Sequence, residues 1–202
     1  MTDLSMREQT KARAVTKAAR YTTVSRTVKI EASSDAKLEA VAREQNVPVN
    51  ALVNKAINRF IDWEVHAEKF RFMSVSPSTQ AKLMDYLTEE QARELGKWWA
   101  ENAIIGLIVF WFKKFDFDAL MKAIELLGSE YGRIFTHKFS IDDEGNYTIV
   151  LRHERGLKTS YFYEEAAKSL FTRLGIKNMK SSTTEDQVTV NIPRKPTPEA
   201  NP

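Results

Sequence analysis

The chain has 202 residues, with 30 Lys+Arg against 27 Asp+Glu and a net charge of +3. That length suits one large domain or two small ones, and a hydrophobic content of 43% with 11 Phe and 4 Trp supplies a core and excludes wholesale disorder. There is no Cys, which excludes a disulfide framework and a thiolate metal site and fits a reducing cytoplasm.

The first residues are polar and basic, with neither the apolar segment nor the small-residue cleavage site of a secretory signal. The longest apolar run, residues 103–112, is about half of the roughly 20 residues that a membrane span needs. Glu101 and Asn102 precede it and Lys113 and Lys114 follow it. It reads as a buried helix or an oligomer interface, so no membrane partner is expected. Charge is unevenly placed: residues 1–63 hold 11 Lys+Arg and 7 Asp+Glu, and the remainder 19 and 20. A polyanion would therefore meet the N-terminal part first.

Residues 1–24 form an arm in which Arg7, Lys11, Arg13, Lys17 and Arg20 oppose Asp3 and Glu8. It lacks apolar periodicity and is either a solvated tail or an arm that orders on a polyanion. Residues 25–33 alternate: Val28, Ile30 and Ala32 share one face, Thr27, Lys29 and Glu31 the other, as in a strand with one wet side. Ser33, Ser34 and Asp35 are candidate N-caps for a helix carrying Leu38, Val41, Ala42 and Gln45. The sequence Asn46-Val47-Pro48 stops it, and Pro48 suits the start of a second helix. Leu52, Val53, Ala56, Ile57, Phe60 and Ile61 give that second helix a wide apolar stripe.

A short alternating strand, RTVKI, followed by two helices in KLEAVAREQNVPVNALVNKAINRFI resembles the ribbon-helix-helix DNA-binding family of Arc, MetJ and CopG-type repressors. The resemblance covers residues 25–63 and rests on element order and hydrophobic pattern. It implies a homodimer: two strands pair antiparallel, four helices cover their apolar face, and the wet face of the ribbon enters the major groove of double-stranded DNA. The physics agrees, since a unit of about 40 residues buries too little surface to fold alone and a lone strand leaves its edges unpaired. The resemblance makes Thr27 and Lys29 base readers, with Ser25 at the start of the strand; Arg26 has core parity but stands at the strand end, from which it can swing to a phosphate. It also places a phosphate at the backbone N–H groups of Val49 and Asn50, at the start of the second helix. Arg13, Lys17 and Arg20 are possible arm contacts.

In the remainder, residues 64–75 continue the helix and then give a short strand at 70–75. Pro77 and Ser78 open a short helix ending near Leu87. Thr88-Glu-Glu-Gln91 is a capping box for a long helix through Trp98 and Trp99 to about Phe112. Asp116 caps a helix from Phe117 closed by Gly132. Residues 134–141 and 147–153 are alternating strands around the turn DDEGN. Thr159 or Ser160 caps a helix ending at Gly175. Residues 176–180 and 187–192 make a last hairpin, and the Pro-rich stretch after Pro193 a disordered tail.

The expected fold class is thus α+β: a basic arm (1–24), a ribbon-helix-helix module (25–66), an α+β effector or assembly domain with antiparallel strands (67–193), and a tail (194–202). Phosphate loops, nucleophile elbows and metalloprotease motifs are absent from the sequence, so no enzyme and no cofactor are expected. His137 and His153 fall nearly opposite on one apolar face of the hairpin, where they would be buried hydrogen-bonded groups or, with Glu154 or His66, metal ligands. Arg155, Lys158 and a helix N-terminus converge as a plain capped loop or an anion site. The reading is a sequence-specific transcription regulator, a repressor by family analogy, with a C-terminal domain that binds a small-molecule or protein effector or builds higher oligomers. It would reside in the cytoplasm at the nucleoid. The alternative is an antitoxin-type repressor whose C-terminal part binds a partner protein.

Overall fold

The computed structural model describes residues 23–193. The arm with Arg13, Lys17 and Arg20, and the expected tail, lie outside the described residues. The described residues divide into two compact units, 23–56 and 57–193.

In the first unit, residues 23–31 belong to no helix or strand of the single chain. Helix α1 (Ala32–Gln45) follows. It starts earlier than expected, so Ala32 and Ser33 belong to the helix and not to a strand. Glu31 is its N-cap residue, in extended backbone, and its carbonyl accepts from the N–H groups of Ser34 and Asp35 at 2.9 and 3.0 Å. The expected caps Ser33, Ser34 and Asp35 stand in the first turn, where the acid still complements the helix dipole. Asn46 closes α1 in the left-handed conformation (φ 52°), a role Asn tolerates well. Helix α2 (Val49–Arg59) begins after Pro48.

The second unit is α+β. A π-helical segment (Phe60–Glu64) and α3 (Val65–Lys69) come first. No strand follows at 70–75. The Phe70 and Phe72 N–H groups return to the carbonyls of His66 and Ala67, and Arg71 sits at φ 53°. This closes the helix and leaves the segment without a strand to pair with. Helix α4 (Pro77–Asp85) is capped by the Ser76 hydroxyl. The Thr88 capping box opens α5 (Glu89–Trp99), which runs through a π-helical segment (Ala100–Ile104) into α6 (Ile105–Phe112). Asp116 caps α7 (Phe117–Ala123), continued as a π-helical segment (Ile124–Tyr131) up to Gly132.

Strands β1 (Thr136–Ile141) and β2 (Tyr147–Arg152) form the expected hairpin. Helix α8 (Leu157–Arg173) follows, then β3 (Lys180–Thr183) and β4 (Gln187–Ile192). The sheet is antiparallel in the order β1-β2-β4-β3. Its core face carries Ile149, Leu151, Val188, Val190 and Ile192, all buried. The opposite parity is largely polar, as in the row Ser140, Thr148, Asn191, Lys180.

Two boundaries differ from expectation. Helix α8 starts at Leu157, because Gly156 (φ 83°) makes the turn that neither Thr159 nor Ser160 needs to cap. The last hairpin uses residues 180–183 rather than 176–180. The Ile176 N–H is taken by Phe171 O as the helix ends, which removes the apolar stretch from the ladder.

Helices α5 and α8 pack so closely that a Cβ on Gly96 would lie 2.1 Å from the Phe162 carbonyl oxygen. Across this contact Arg93 reaches Glu164 at 2.5 Å.

Candidate functional site

The first unit presents the residues singled out for nucleic-acid contact. Ser25, Arg26, Thr27 and Lys29 are all exposed on the 23–31 segment. Val49 and Asn50 are the first two residues of α2, where backbone N–H groups have no carbonyl within the helix to meet. Among described residues 23–56, only Ala42 is buried, while Val24, Val28, Ile30, Val41 and Val47 are exposed. The described residues of this unit carry exposed apolar side chains and enclose almost no interior.

In the second unit, the two hairpin histidines are offset. The register pairs His137 with Leu151, so His153 sits diagonally from it rather than opposite. Among the described residues no group of three or more His, Asp or Glu is placed to hold a metal ion. His153 is 8% exposed. Its Nδ1 accepts from the Arg155 backbone N–H at 3.1 Å, which leaves the proton of the neutral ring on Nε2. Nε2 lies 2.8 Å from Ser160 Oγ, and that hydroxyl in turn donates to Thr184 O. Every proton in the chain is committed, so the pair ties β2 to α8 and is not arranged for nucleophilic attack. Burial, helped by the charge of Arg155, pushes the His153 pKa down to about 4.

Arg155 also departs from expectation. It does not face an anion beside Lys158; it is 7% exposed and donates to Gln80 Oε1, Ile134 O and Tyr163 OH. Lys158 donates to Asp85 O at 2.8 Å. Burial raises the Tyr163 pKa, so its phenol stays neutral. Burial also acts upward on Glu164, but hydrogen bonds from Ser181 and Arg93 outweigh it and hold the carboxyl below its usual range.

One further feature was invisible in the sequence: an apolar cavity of about 820 Å³ within the second unit. It reaches from Ile108, Leu120, Ile149 and Val190, which are fully buried, to Phe72 and Met73, which are 45% and 82% exposed. Among the described residues no charged side chain and no histidine lines it; Asn102 and Tyr163 are its main polar groups. All three π-helical segments among the described residues contribute to the wall, through Trp63, through Asn102, Ala103 and Ile104, and through Ile124, Leu127 and Gly128. Such segments are rare and recur at functional sites.

Compared with family models, curated proteins and solved structures, the chain matches none.

Proposed function

We propose that the protein is a sequence-specific DNA-binding transcription regulator that acts as a homodimer at the nucleoid. In this reading two copies of residues 25–66 make a ribbon-helix-helix whose strand pair enters the major groove. Thr27 and Lys29 then read base edges, Lys29 at guanine O6 and N7, while Ser25 and Arg26 flank them. Val49 and Asn50 hold a phosphate at the start of α2. Residues 67–193 serve as the sensing or assembly domain.

The observation that carries the reading is the missing interior of the first unit. Only Ala42 is buried among residues 23–56, although Val28 and Ile30 alternate with polar residues on an unpaired segment. A second copy supplies both the strand partner and the apolar cover that such a unit lacks.

The test is selection of bound sequences from random DNA by the full chain, with Lys29→Ala and Thr27→Ala beside it. The expected result is a repeat of short half-sites, relaxed or lost in both variants, at a cost of about 1–3 kcal/mol for a lost base contact. Enrichment of no motif, with variants binding like the parent chain, would refute base reading through this strand.

A further inference from the structure

We infer that the apolar cavity of the second unit is a binding site for an uncharged, predominantly apolar small molecule of drug-like size. This deepens the sensing half of the proposed function and does not depend on the DNA-binding half.

Several observations converge on that ligand class. The volume, about 820 Å³, lies within the 300–1,000 Å³ range of small-molecule pockets. Among the described residues the wall holds no charge, so a charged ligand buried there would lose its hydration without a counter-ion. Water is no better an occupant, because it needs several polar partners and the wall offers few. Asn102 is placed to orient a ligand's polar end. Its amide N–H donates to Trp98 O at 2.9 Å, and its Oδ1 is left to accept.

The exposed wall points the same way. Phe70 and Phe72 stack with ring centroids 5.6 Å apart, and with Met73 they stand in water at 41%, 45% and 82% exposure. Arg71 at φ 53° holds the turn that carries them. A ligand in the cavity would cover these side chains, as aromatic and Met-lined sites do for apolar ligands. Gly106 also belongs to the wall, and a Cβ there would meet nothing within 4 Å. A larger side chain at this position can therefore occupy ligand space without disturbing the packed core.

The experiment titrates the full chain, without DNA, with the neutral fluorophore N-phenyl-1-naphthylamine, competed by 1-octanol. The anionic probe 8-anilinonaphthalene-1-sulfonate is run alongside. Expected are saturable one-to-one binding displaced by octanol and at least about tenfold weaker binding of the anionic probe, a difference of about 1.4 kcal/mol. Gly106→Phe and Ala103→Phe should each weaken the neutral probe about tenfold or more, whereas Val109→Phe, outside the wall, should not. Equal binding of both probes, or unchanged binding in cavity variants with intact circular dichroism, would overturn the proposal. So would a cavity variant that changes the oligomeric state but not probe binding, since the space would then be covered by a second copy. If both cavity variants misfold, photolabelling of the parent chain by a diazirine-bearing octanol decides. Adducts at 63–73 and 102–107 support the site, and adducts elsewhere refute it. Failure of DNA selection leaves this outcome untouched, and the reverse holds.

Discussion

His153 illustrates how one buried ring sets a pH limit. It is neutral because burial and the Arg155 charge oppose its protonation, with a pKa pushed down to about 4. In the unfolded chain the ring titrates near 6.5. Between these values the unfolded state binds the proton and the folded state does not, so stability rises with pH in that window and is lost as pH falls from about 6.5 toward 4. The full linkage is on the order of 3 kcal/mol. His153→Gln removes the titration while keeping one hydrogen-bonding end near Ser160. Denaturant midpoints measured from pH 7.5 to 4 should fall less steeply for this variant than for the parent chain. Parallel slopes would mean that other groups govern acid sensitivity.

At the scale of elements, two glycines test opposite consequences of one substitution. Gly96 lies where α5 and α8 touch backbone to backbone, and the Phe162 carbonyl that an added Cβ would strike cannot rotate away. Gly96→Ala must separate the helices and should destabilise by about 1–3 kcal/mol or more, despite the better helix propensity of Ala. Gly106→Ala meets open space and should gain up to about 1 kcal/mol from that same propensity. Urea denaturation of the two variants checks both signs, and a neutral Gly96→Ala would contradict the close approach of α5 and α8.

Much of this element structure was legible in the chain. The Thr88 capping box, the Asp116 cap and the β1–β2 hairpin are local features, set by side chains a few residues apart, and they stand where the pattern put them. The misplaced pieces depended on partners far away. Residues 70–75 have strand composition but no strand beside them, and β3 takes the polar stretch Lys180–Thr183, where Ser181 bonds Glu164 of α8. The inward turn of Arg155 needs acceptors from Gln80 and Ile134, which no spacing rule connects. The cavity was least legible of all. Its wall draws on residues from Trp63 to Val190, and an apolar side chain reads the same whether it faces another side chain or an open space.

For the molecule as a whole, the two units differ in what holds them together. Residues 57–193 contain a continuous buried core spanning helices and sheet, with Leu120, Ile149, Phe171 and Val190 almost fully covered. Residues 23–56 bury Ala42 alone. If the first unit gains its interior from a second copy, its stability depends on protein concentration while that of the second unit does not. Hydrogen exchange of the full chain should then show protection in residues 32–56 that falls on dilution, beside constant protection in the sheet and α8. Replacing Val28 and Ile30 together by Asp places charge on the apolar side of the paired ribbon, where desolvation opposes assembly. That double variant should lose protection in 32–56 and lose operator binding, yet retain the exchange pattern of 57–193 and the neutral-probe affinity of the cavity. Protection in 32–56 that survives both dilution and the double substitution would show that the first unit is stabilised without the ribbon, and the dimeric DNA-reading head would have to be abandoned.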